Sequence, residues 1–116
     1  MRRIHAQGKI ASMFGVEGGG QIDGSFAVLR AYRSLGASYL TLTHSKTIDW
    51  ADSATDDPKH DGLTKFGEAV VRELNRLGML VDLSHVSEDT MIDAILPCAW
   101  MRRTSAAVTA GAKTSG

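Results

Sequence analysis

Cysteine is almost absent from this 116-residue sequence, where Cys98 stands alone. One thiol excludes an internal disulfide framework and fits a reducing compartment. Net charge is missing too, because thirteen lysines and arginines cancel thirteen aspartates and glutamates. Such a balance gives no electrostatic footprint for nucleic acid or an anionic membrane, and a small molecule is the expected partner. No apolar run approaches the length that spans a bilayer. The basic start MRRIHAQGK is followed only by the short IASMFGV, which runs into Glu17. No signal peptide is read there, and the cytoplasm is the expected location. The glycines of EGGGQIDG match neither a GxGxxG turn nor a P-loop and read as a loop that brings the backbone close to a neighbour. A chain of this length is one domain at most, with a thin core, since it buries only about two-thirds of its unfolded surface.

What is present alternates between strand and helix patterns. Lys9 to Val16 (KIASMFGV) is short and largely apolar and reads as a buried strand entering a glycine loop. In SFAVLRAYRSLG the large residues Phe26, Leu29, Tyr32 and Leu35 recur every third position, which predicts an amphipathic helix capped by Gly36. Tyr39 to Thr43 (YLTLT) is a second strand by its β-branched and aromatic content. A long polar loop with five aspartates follows, SKTIDWADSATDDPKHDG, and long ordered loops are often functional. Thr64 is an expected N-cap for a helix whose apolar line is Phe66, Val70, Leu74 and Leu77, with Glu68 and Arg72 paired at i,i+4 and Gly78 as its stop. Met79 to Leu83 is the third strand. Ser87 then caps a helix through Met91, Ile92 and Ile95 that Pro97 ends.

Alternation of this kind implies a parallel sheet, because parallel neighbours are joined by an excursion across the sheet face. LGASYLTLTHS and LGMLVDLSHVS form an approximate internal repeat, offset by one residue between glycine and histidine. Repeated units of this sort suit a barrel. Chemistry in such folds gathers beyond the carboxyl ends of the strands, and the three strands here end near Glu17, His44 and His85. Imidazole and carboxylate are ligands that zinc accepts, and a carboxylate can bridge two ions. A single histidine after a strand is more often a hydrogen-bonded structural residue, so the weight lies on the coincidence of three. His60 and the aspartates around it match no EF-hand spacing and read as a solvated loop. Trp50 reads as an anchor for the long loop rather than a stacking platform. Cys98 has no evident base beside it, and a nucleophilic role is not expected.

GKIASMFGVEGG, YLTLTHSKTIDWADSATDDPKHDGLTKFG and VVRELNRLGMLVDLSHVSEDTM resemble consecutive segments of the membrane dipeptidase family, the renal-type zinc dipeptidases and their bacterial relatives. The resemblance runs from Gly8 to Ile95, and the KTIDWADSATD form of the loop is similar to the bacterial branch. It implies a (β/α)8 barrel that hydrolyses dipeptides with two zinc ions. Carried over motif by motif, it implies that Glu17 of VEGG bridges the metals, that His85 of DLSH binds zinc, and that His44 of LTHS contacts the substrate and supports the tetrahedral intermediate.

The family also carries a His-x-Asp ligand pair, a Ser-His-Ser motif on the strand after DLSH, and a substrate-holding arginine and aspartate, none of which has a counterpart here. The expected organisation is a partial dipeptidase TIM-barrel domain over residues 1–96, with about three of the eight β/α units, and a non-matching low-complexity tail over 97–116. A complete barrel needs about 250 residues. The expectation is therefore a marginal or self-associating piece of the barrel, a zinc metallodipeptidase by resemblance yet inactive alone. The alternative is a non-catalytic metal-binding or assembly fragment.

Overall fold

In a computed structural model, residues 2–96 are described. The expected stop at Pro97, Cys98 and the tail over 97–116 lie outside them. A short exposed helix α1 (Arg2–Ala6) buries nothing. Strand β1 (Val16–Glu17), a 3-10 turn (Gly19–Ile22) and helix α2 (Phe26–Ser34) follow, then β2 (Tyr39–Thr41), the long loop, α3 (Lys65–Leu77) and β3 (Leu80–Asp82). A last helix, α4, begins at residue 88 and continues to 96. The sheet is parallel throughout in the order β1-β2-β3, with Glu17 beside Thr41 and Thr41 beside Asp82.

Register divides the sheet into two faces, since side chains alternate along a strand. Val16, Leu40 and Val81 share the face that meets the helices, where Val16 and Leu40 are buried with Leu29, Val70, Val71 and Leu74. Glu17, Thr41 and Asp82 share the other. The caps that start α3 and α4 are those the sequence indicates, and Ser25 caps α2 in the same way. Ser25 Oγ accepts from Val28 N, Thr64 Oγ1 from Gly67 N and Ser87 Oγ from Thr90 N. Gly78 closes α3 in the left-handed conformation, at φ 67°. Helices α2 and α3 meet through Phe26 and Phe66, whose ring centroids are 5.2 Å apart, and through Arg30 Nε, which donates to Glu73 Oε1 at 2.7 Å. Hydrogen bonds from Arg76 and Arg30 hold the Glu73 carboxyl down at about 2. Glu68 and Arg72 pair at 3.5 Å.

Three expectations need correction. The strand read over Lys9 to Val16 is paired only at Val16 and Glu17, and Ile10 is 95% exposed. Apolar composition alone does not make a strand, and residues 9–15 have no neighbouring strand to complete a ladder. Leu35 is not on the buried line of α2. It is the C-cap residue, past the last full turn, and is largely exposed. The loop aspartates are not all solvated, because Asp52 is completely buried.

Asp52 organises the long loop. Its carboxylate accepts from the amides of Lys59 at 2.9 Å, His60 at 3.1 Å and Gly62 at 3.0 Å. Its own carbonyl accepts from Ser87 N and Thr90 Oγ1, which fastens the loop to the start of α4. Trp50 anchors the loop as expected, 4% exposed and edge-on to Phe66. The glycine loop does bring backbones together. Gly19 N donates to Leu42 O at 3.0 Å, and a Cβ on Gly19 would lie 2.5 Å from that oxygen.

Burial alone would raise the Asp52 pKa, but the amides of Gly62, Lys59 and His60 outweigh it and hold the carboxyl below its ordinary 3.8. Asp52→Ala strands three donors and is expected to cost roughly 3 kcal/mol in urea unfolding. Since the folded-state pKa is the lower one, the stability this group adds is present above the unfolded-state value and is lost as pH falls through the folded-state value. The gap between wild type and Asp52→Ala should therefore narrow in acid; a gap that widens there contradicts the assignment.

Candidate metal centre

The three residues singled out at strand ends converge. Glu17 is the last residue of β1, while His44 and His85 each lie three residues beyond β2 and β3. Because Thr41 and Asp82 are register partners, the two histidines occupy equivalent positions on neighbouring strands. The ligand atoms of all three lie within 4.8 Å of one another. His44 Nε2 is 3.4 Å and His85 Nε2 is 3.6 Å from the same oxygen, Glu17 Oε1, and the two rings meet edge to face at 4.8 Å. All three side chains are open to solvent.

This donor set fits a metal on its own dimensions. Two ligands at about 2.1 Å from a tetrahedral ion are about 3.4 Å apart, close to both observed separations. A carboxylate with two imidazoles is a donor set that suits zinc and other borderline divalent cations. The distances do not separate His44 from His85, so ligand and substrate roles are not distinguished by geometry alone.

His85 is held in an unusual backbone state. Its φ is 65°, in the left-handed region that residues with a Cβ enter uncommonly, histidine more often than most. Its carbonyl accepts from Thr43 Oγ1 and from Ala54 N, each at 2.9 Å. Those bonds fix the turn that lifts the imidazole toward Glu17. Strain of this sort persists where the surroundings over-determine it, commonly at functional sites.

Asp82 lies in the same row of the sheet as Glu17 but faces a different set of neighbours. One oxygen accepts from Thr41 Oγ1 at 2.7 Å, the other from Ser84 N and Ser84 Oγ. Burial would raise its pKa, yet the Ser84 amide and the Thr41 and Ser84 hydroxyls keep the carboxyl below its ordinary value. His60 is also occupied elsewhere, with Nε2 2.9 Å from Ile48 O inside the long loop. A groove lined by Gly20, Asp23, Ile48, Asp49, Trp50 and Phe66 contains none of the three converging residues. The supporting contacts from Thr43, Asp82 and the loop were not evident from sequence. Only the DxS spacing of Asp82 and Ser84 could have signalled one of them, as a side-chain-to-backbone turn.

Comparison with known proteins bears on the same residues. Residues 1–107 match the family described as membrane dipeptidase (peptidase family M19). The chain is 51% identical over 94 residues to "Dipeptidase tcpJ" of Claviceps purpurea, covering 80% of this chain and 22% of that protein. It is 52% identical over 93 residues to "Dipeptidase 3" of Mus musculus, covering 76% and 19%. It thus spans about a fifth of the length of these curated relatives. Among solved structures, a metallo peptidase from Rhodobacter sphaeroides liganded with a phosphinate mimic of the dipeptide L-Ala-D-Ala superposes with a TM-score of 0.69 at 30% identity, covering 80% of this chain and 28% of that one. The three parallel β/α units are accordingly part of a TIM-type α/β barrel that these strands do not close. With a family match over nearly its whole length and two histidines facing one carboxylate at the strand ends, the chain belongs to the membrane dipeptidase family, peptidase family M19.

Proposed function

We propose that this chain carries part of a zinc-dependent dipeptidase site in which Glu17 and His85 are metal ligands and His44 contacts the substrate. The observation that carries the reading is the single carboxylate oxygen, Glu17 Oε1, faced by both imidazoles at 3.4 and 3.6 Å. Zinc in such a site supplies Lewis acidity, polarising a peptide carbonyl and activating water at neutral pH. Glu17 offers a second oxygen, which suits a residue that bridges two ions. His85 offers Nε2 from a turn that its backbone bonds hold in place. His44, on the neighbouring strand end, can donate Nε2–H to the oxygen of a bound dipeptide as charge develops there. The balanced charge of the chain supports a small molecule, a dipeptide, rather than nucleic acid as its partner.

Two ligand residues are fewer than two zinc ions require, and this supports an inactive state for the 116-residue chain by itself. Apolar side chains at the open edges, Leu80 at 59% exposure and Phe14 at 57%, favour a second reading in which the isolated chain is a metal-binding or assembly element.

Zinc titration followed by calorimetry should show weak binding to the wild-type chain. Glu17→Ala and His85→Ala should each reduce the affinity by about tenfold or more, while His44→Ala should leave it nearly unchanged. An equal loss in His44→Ala would reassign that residue as a ligand.

With L-Ala-D-Ala as probe, the purified chain is expected to give no turnover with zinc present. Turnover that both a chelator and His85→Ala abolish would contradict the expected inactivity while supporting the metal assignment.

A further inference from the structure

Ser53 is buried, at 3% exposure, on the loop that passes over both site histidines. Its Oγ lies 2.7 Å from the carbonyl oxygen of His44 and 3.2 Å from that of His85. The His85 carbonyl already accepts from Thr43 Oγ1 and Ala54 N, which occupy both of its lone pairs. The single Ser53 proton is therefore directed to His44. The serine is itself fixed on three sides. Its amide donates to Thr47 Oγ1 at 3.1 Å, its oxygen accepts from Thr55 N at 3.3 Å, and it forms a β-bridge with Val86, the residue after His85.

We propose that Ser53 is a positioning residue: its hydroxyl holds the main chain of His44 while its own backbone is bridged to Val86 beside His85, and it thereby sets the spacing of the two imidazoles. The strands alone do not set this geometry, because both histidines lie beyond the ladder, and His85 has turned into the left-handed region where the strand register no longer governs it. A residue that donates to the His44 carbonyl through its side chain and is bridged to the backbone beside His85 restores the link that the sheet gives up. The inference rests on the proposed metal site only where it expects zinc affinity to be unaffected. The spacing of the rings is a property of the chain itself.

The experiment compares wild type, Ser53→Ala and Ser53→Thr, each checked for helical circular dichroism. Alanine keeps the Cβ and removes only the hydroxyl, while threonine keeps the hydroxyl. In the metal-free chain, the nuclear Overhauser contact between the His44 and His85 rings should be lost in Ser53→Ala and kept in Ser53→Thr. Zinc affinity, carried by Glu17 and His85, should stay close to that of wild type in both variants, as in His44→Ala. A folded Ser53→Ala chain that keeps the ring contact overturns the proposal, as does a folded Ser53→Thr chain that lacks the contact. A loss in Ser53→Ala that only accompanies loss of helical signal also overturns it, because the serine then merely supports the loop. If threonine's extra methyl prevents folding, the alanine variant decides alone. Wild type that shows the ring contact but binds no zinc would sink the metal reading and leave the positioning role standing.

Discussion

The buried carboxylate of Asp52 is the constraint on which the upper part of the molecule depends. Removing an anion from water is costly unless hydrogen bonds replace its hydration, and among the described residues no lysine or arginine pairs with it. Three main-chain amides, from Lys59, His60 and Gly62, supply the replacement. To bring them to one point, the polar segment between β2 and α3 must curl back on itself. The same residue uses its backbone to hold the start of α4 through Ser87 and Thr90. One aspartate therefore converts a long, charged loop into a fixed lid over the strand ends without touching the converging histidines.

That lid explains how a left-handed His85 is maintained. A residue with a Cβ loses roughly 1–2 kcal/mol in this conformation, and the two bonds to its carbonyl from Thr43 and Ala54 are of a size to offset it. Ala54 is two residues from Asp52, so the chain that folds around the buried anion is also the chain that delivers the amide. Stability in the loop and geometry at the candidate metal centre are thus linked through a few covalent bonds of backbone.

The repeat in the sequence turns out to be a repeat in register, and it shows where pattern reading succeeds. LGASYLTLTHS and LGMLVDLSHVS differ by one residue between glycine and histidine, and the structure places the extra residue before β2. From Tyr39 and Leu80 onward the strands run in step, Thr41 pairs with Asp82, and His44 and His85 follow at the same distance. Caps were legible for the same reason. Thr64, Ser87 and Gly78 act within one helical turn of themselves, so a local signal suffices. The length of β1 was not legible, since pairing depends on a neighbour that composition does not reveal. Nor was the role of Asp52 or Ser53. Each acts across more than thirty residues, on Thr90 and on Val86 beside His85, and nothing in either one's own neighbourhood distinguishes it from the other polar residues of the loop.

The row formed by Glu17, Thr41 and Asp82 finally accounts for which carboxylate meets the histidines. Both acids lie on the same face of the sheet, one residue row deep, and composition gives no reason to prefer either. Their neighbours do. Thr41 and Ser84 engage both oxygens of Asp82 and stabilise its charge without a cation. Glu17 ends the outer strand and is followed by Gly18 and Gly19, whose amides reach across to the carbonyls of Thr41 and Leu42 rather than to its side chain. Among the described residues, its carboxylate meets only the two imidazoles. An anion whose oxygens are satisfied by neutral donors contributes to structure, whereas one left facing only two imidazoles, themselves metal-ligand groups, is available to a cation. The sheet sorts its two acids into those roles through the hydroxyls placed beside one of them and withheld from the other.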